Sequence, residues 1–142
     1  MLNNVTAGIA IAIDQEFGEG YEIYTDELKQ DLKEPCFFIM MLDPDIERRL
    51  SVRRETDVPM SIQYFPQKGR AECNDVAERL ALYALECITP YESDALIRGK
   101  DMHWEIVDGV LNFFVTYNFF VYVIEDTKPL METMTTVLHL KG

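Results

Sequence analysis

The chain has 142 residues, 48% of them hydrophobic, and carries 25 Asp and Glu against 13 Lys and Arg, a formal net charge of -12. That length suits a single domain, residues 1–142, around one core, and the charge opposes nonspecific binding to nucleic acid, because neutralising phosphates needs clustered cations. No run approaches the roughly 18 uncharged apolar residues that a membrane span requires, and the N-terminus lacks the basic start of a secretory signal, so a soluble, unexported protein with no membrane partner is expected.

Residues 4–17 have helical spacing through Val5, Ile9, Ala12, Ile13 and Phe17, with Asn3 or Asn4 as the cap. Gly18-Glu19-Gly20 ends that helix, and residues 21–25 alternate as a short strand. Residues 26–34 form a charged connection with room for a helical turn. After Pro35, residues 36–42 (CFFIMML) are apolar on both faces, which predicts a central strand covered on two sides. Asp43-Pro44-Asp45 is its turn, residues 46–55 alternate as an exposed or interfacial strand, and residues 58–65 follow as another strand with Pro59 near its start.

Residues 70–87 form the clearest helix, with Cys73, Val76, Ala77, Leu80, Ala84 and Cys87 on one stripe. A loop at 88–94 leads to a strand beginning at 95–98. Asp108-Gly109 then separates two alternating runs, the signal of a two-residue type I′ hairpin loop, whose central positions both need positive φ. The register pairs Val107 with Val110, Ile106 with Leu111, Trp104 with Phe113 and Met102 with Val115 on a core face. Glu105 with Asn112, His103 with Phe114 and Asp101 with Thr116 share the other. Beyond the hairpin that second face presents Phe120, Tyr122 and Ile124, too apolar for open water, so a helix or a neighbouring subunit should cover it. The tail at 131–140 suits a final short strand, or a helix beginning near Pro129. The fold class is therefore α+β: a mostly antiparallel twisted sheet flanked by two main helices, in the order α-β-β-β-β-α-β-β(-β).

No catalytic constellation emerges. His103-Trp104-Glu105 matches the H-x-E half of a zinc deaminase signature, but Ile39 stands where the second cysteine after Cys36 is required, and the order is reversed. Two histidines with no Cys-x-x-Cys leave a zinc site without ligands. Ser51, Ser61 and Ser93 lack a nucleophile-elbow context, and Gly18-Glu19-Gly20 is no phosphate loop. Asp43 and Asp45 are most simply a solvated turn. Cys36, Cys73 and Cys87, odd in number and set among apolar neighbours, are expected as reduced thiols. Neither enzyme activity nor a cofactor or metal is expected.

One charged cluster stands out. Arg48, Arg49, Arg53 and Arg54 crowd into seven positions of a very acidic chain, interleaved with Leu50 and Val52. Complementary charge is available on any second copy, so these six residues, with Phe114, Phe120 and Tyr122 on the apolar second face, are the candidate subunit or partner interface; the alternative is a solvated edge strand protected by charge.

The segments LKEPCFFI (32–39), IQYFP (62–66), AECNDVAERL (71–80) and IVDGVLNFFVTYNFFVY (106–122), with the short polar C-terminus ending Lys141-Gly142, resemble the phage tail terminator, or tail completion, proteins of tailed phages and prophages. The resemblance implies a virion structural protein that forms a homo-oligomeric ring, usually a hexamer, on the head-proximal end of the tail tube. Such a ring stops tube polymerisation and offers the head-tail joining surface. The implied partners are the tail tube protein and the head-tail connector protein, with DNA passing through without sequence-specific binding. Assembly in the host bacterial cytoplasm and residence in the virion tail follow. Two other readings fit the residues: a small acidic binding or inhibitor module that engages a basic partner, and a Mg²⁺-dependent hydrolase using converging carboxylates.

Overall fold

The computed structural model describes residues 1–25, 33–125 and 136–141, with side chains described through Val123. Its elements are α1 (Leu2–Phe17), β1 (Glu22–Tyr24), β2 (Cys36–Met41), β3 (Asp45–Arg48), β4 (Arg53–Phe65), α2 (Arg70–Arg79) continued by a π-helical turn (Leu80–Ala84), β5 (Cys87–Ile88), β6 (Ile97–Val107), β7 (Val110–Glu125) and β8 (Thr136–Lys141). The fold is α+β, in close to the expected order. The sheet runs β1-β2-β4-β7-β6-β5, with β3 also on β4 and β8 also on β7; only the short β1–β2 pairing is parallel.

Two long strands form the spine. β4 and β7 pair from Arg53↔Tyr122 to Tyr64↔Leu111. β2 covers the 60–65 half of β4 and β3 covers 54–57; on β7, β6 takes the first half and β8 the last six residues. The helices pack where β2, β5, β6 and β7 lie. Strand alternation puts Val58, Met60, Ile62 and Tyr64 with Leu111, Phe113, Val115 and Tyr117 on the buried face. Val5, Ile9, Ile13 and Phe17 of α1, Cys73, Val76 and Ala77 of α2 and Leu80 of the π turn close onto the same core. A cation ties the two helices together: Arg79 donates to the Glu16 carbonyl at 2.7 Å, pairs with its carboxylate at 3.1 Å, and lies 4.2 Å above the Phe17 ring.

The hairpin register holds from Val107↔Val110 to His103↔Phe114, with Asp108 and Gly109 both at positive φ. It then departs from expectation. Lys100 pairs with Thr116, so Asp101 and Met102 together oppose Val115 in a β-bulge, with Asp101 at φ 55°. The expected pair Asp101–Thr116 is therefore not made, and Met102 shares Val115 with Asp101 instead of pairing with it alone. Nor is the whole expected core face interior: Trp104 is 39% exposed, its ring stacked on Phe113.

Four other expectations are corrected. α1 begins at Leu2 with Met1 as its cap and no side-chain capping bond, so neither Asn3 nor Asn4 serves; the Asn4 carbonyl instead accepts the amide of Tyr91. The helix from Arg70 does not reach Cys87. It widens into a π turn that closes with Leu85 N to Leu80 O at 2.9 Å, and the next carbonyls are taken by the sheet side: Tyr117 OH donates to Leu85 O and the Gly99 amide to Glu86 O. Cys87 and Ile88 then pair with β6 rather than ending a helix and starting a loop. Finally, residues 46–55 are not one strand, since β3 stops at Arg48 and β4 starts at Arg53.

β2 is buried at Cys36, Phe37, Phe38 and Ile39, on both faces as expected, and opens out at Met40. Of the two alternatives for the tail, the strand is found as β8. The charged connection lies outside the described residues over 26–32.

Candidate interface at the β3–β4 turn

The reversal at 49–52 lacks the Gly, Pro or Asn of a typical turn. It is closed by Arg49 N to Arg53 O at 2.9 Å and Arg53 N to Leu50 O at 3.0 Å, with Ser51 at φ 55°. Arg54 reinforces it, its guanidinium donating to Ser51 O at 3.0 Å and Arg53 O at 3.1 Å. Leu50 is left 82% exposed and Val52 41% exposed. Apolar side chains held this far into water by a rigid turn contribute nothing to the subunit's own core.

Strand alternation sorts the charges. Arg53 lies on the outer face of β4 opposite Tyr122, one position from the Glu55↔Phe120 pair on that face. Its guanidinium carbon sits 3.9 Å from the centre of the Phe120 ring, and its Nε is buried with no hydrogen-bond partner. Arg49 bridges Glu47 at 2.7 Å and Glu55 at 2.8 Å. Asn118 donates to Glu55 at 3.0 Å and to Asp57 at 2.6 Å. Those bonds, Asn118's first and then Arg49's, hold the Glu55 carboxyl below its usual range. Arg49, Leu50, Arg53, Glu55 and Phe120 line a hollow of about 330 Å³. Arg48 and Arg54 face each other across β3 and β4, a like-charge pair that is unfavourable.

Thus the structure gathers Arg49, Leu50, Arg53 and Phe120, sets Tyr122 opposite Arg53, and holds Val52, Arg48 and Arg54 at the same turn. Phe114 is not among them. It lies opposite Ser61, six residues along β7 from Phe120, with the His103 ring stacked on it at 4.9 Å. Glu47 and Glu55, which hold Arg49, and Asn118, which holds Glu55, were not singled out by sequence. The signal of the two glutamates was present as acidic residues flanking the arginines, and it becomes legible only once the strand is folded back; Asn118, distant on β7, gave none.

His103 Nδ1 contacts the Asp101 carbonyl at 3.1 Å. Among the described residues no group of three or more His, Cys, Asp or Glu is placed to hold a metal ion. Cys36, Cys73 and Cys87 are free thiols; burial, then Glu34 and Glu22, pushes Cys36 up to about 11, leaving it protonated and unreactive. Among the described residues no helix is long and apolar enough to cross a membrane.

The geometry defines a small α+β sheet protein whose β3–β4 turn is charged and apolar-tipped. Residues 4–129 match the family model of the phage tail terminator proteins, and the chain belongs to that family. It is thus a structural protein of the phage tail, as the resemblance in its segments implied. No curated protein matches the chain.

Proposed function

We propose that the chain, acting as one domain over residues 1–142, assembles into a ring on the head-proximal end of the tail tube, ends tube polymerisation there, and offers the surface that joins tail to head. Tail tube protein and head-tail connector protein are its partners, DNA passes through the ring without sequence-specific contact, and assembly takes place in the host cytoplasm before the ring is carried in the virion tail. The observation that carries this reading is the β3–β4 turn. Between Glu47 and Glu55 four arginines outnumber two carboxylates, while the rest of the chain holds nine basic and 23 acidic residues. A locally cationic, apolar-tipped projection on an acidic subunit is complementary to another copy of that subunit. An acidic wall also lets a polyanion slide past without sticking.

Deletion of the gene in its phage, followed by electron microscopy of the lysate, tests the role. Overlong tails, or heads and tails left unjoined, are expected; normal virions refute it. The net charge also favours a second reading, a binding module that captures a basic partner. That reading predicts unchanged tail length after deletion, and loss of binding when scattered acidic residues are reversed.

A further inference from the structure

A second surface matches the turn. Between α1 and the end of β2 runs a groove of about 1030 Å³ whose lining includes Ala7, Ala10, Ile11, Met40, Met41 and Tyr91. Ile11, Met40 and Tyr91 are exposed there, and no charged side chain lines it. Among the described residues, every charged side chain within three positions of a lining residue is acidic and exposed: Asp14, Glu22, Asp43, Glu92 and Asp94. Asn3, Thr6 and Thr25 complete the lining, so the groove is a mainly apolar slot with some polar wall, and the charged side chains nearest to it in sequence are acidic. The turn is its converse, with Leu50 and Val52 flanked by Arg48, Arg49, Arg53 and Arg54.

The subunit's own turn cannot reach this groove. Met41 pairs with Met60, and Arg53 is seven residues further along the same rigid strand, roughly 23 Å at 3.3 Å per residue. Two turns cannot meet each other either, because arginine would face arginine. A head-to-tail contact satisfies both surfaces, and it is the kind that propagates from copy to copy and closes when the rotation allows. We propose that Leu50 and Val52 of one copy seat in the α1–β2 groove of the next, with the arginines paired to the acidic residues that neighbour its lining. The inference rests on the ring reading above and names the two surfaces that would make the ring.

The test uses Leu50→Asp, which spoils only the turn, and Ile11→Asp, which spoils only the groove. Leu50 is 82% exposed, so Leu50→Asp should keep the wild-type thermal midpoint; Ile11 is 47% exposed within α1, so Ile11→Asp is checked for a folded cooperative transition, and recovery of the heterodimer shows that its turn is intact. Native mass spectrometry, with and without purified tail tube protein, reads the assembly. The wild type should form closed multimers, each variant alone should remain monomeric, and an equimolar mixture should give one-to-one heterodimers and nothing larger. The heterodimer forms because the mixture holds one intact turn and one intact groove. If the wild type forms multimers and the variants do so equally, this contact is overturned while the ring reading stands. A mixture that gives no heterodimer also overturns it. A wild type that stays monomeric beside tail tubes removes both.

Discussion

Arg53 lies across Phe120, its guanidinium carbon 3.9 Å from the ring centre and its Nε buried without a partner. The contact holds the arginine over a side chain of β7, at the end of the turn that closes onto it. A cation over an aromatic face at a partly open site is worth about 0.5–1 kcal/mol. Urea unfolding of Arg53→Ala, Phe120→Ala and the double variant should return a coupling energy of that size. Purely additive losses would mean that the two side chains share a face without an interaction.

Leu50→Asp should separate assembly from stability. An 82% exposed side chain has little to lose on replacement, so the unfolding free energy should stay within about 0.5 kcal/mol of wild type. The same variant introduced into the phage should give overlong tails. Normal tail length with this variant would show that the turn takes no part in termination.

Gly8 reverses the usual sign of a helical glycine. In an ordinary helix interior, Gly→Ala stabilises by up to about 1 kcal/mol. Here an added Cβ would stand 2.6 Å from the Thr89 carbonyl oxygen and 3.0 Å from Pro90 Cα, both backbone atoms, in the segment that the Tyr91 amide ties to Asn4. Gly8→Ala should therefore destabilise by about 1–3 kcal/mol, measured by thermal unfolding. A stabilised variant would show that residues 89–91 yield easily.

The limits of legibility follow the range of the forces involved. Local rules set the Asp108-Gly109 hairpin and the stripe from Cys73 to Ala84, so both were legible in sequence. The turn at 49–52 was not, because its alternation of apolar and charged residues continues straight through the reversal, and its closure depends on Ser51 at positive φ and on carbonyls held by Arg54. Pro59 within β4 shows a long-range override. Its carbonyl accepts the Leu42 amide, so its missing N–H points to the same side, at the crossing between β2 and β3 where no strand pairs. The π turn likewise depends on Tyr117 and Gly99, distant in sequence. For the interface, the arginine cluster and Phe120 were legible as composition, whereas the groove that complements it comes from two elements brought together only by folding.

The pH dependence of stability should have an acid and an alkaline limb with separate owners. At Glu72, burial works to raise the carboxyl, but the Tyr64 hydroxyl at 2.5 Å and the amides of Gln67 and Lys68 at 3.0 Å outweigh it and hold it below the usual range. A depressed carboxyl adds stability above its unfolded pKa, and that stability is lost as pH falls through the folded value. Glu72→Gln should remove that part of the acid loss. On the alkaline side, burial raises Tyr117 and Tyr64, the latter helped by its bond to Glu72. Both phenols keep their protons while the unfolded ones ionise near about 10, so stability falls as pH rises past that value. Tyr117→Phe leaves the Leu85 carbonyl without the donor that reaches it at 2.7 Å, which should cost about 1–2 kcal/mol at neutral pH. The gap to wild type should narrow at pH values above 10, where only the wild type carries the buried phenol. Urea titrations of both proteins at neutral and alkaline pH measure it, and a gap that stays constant would assign the alkaline loss to other groups.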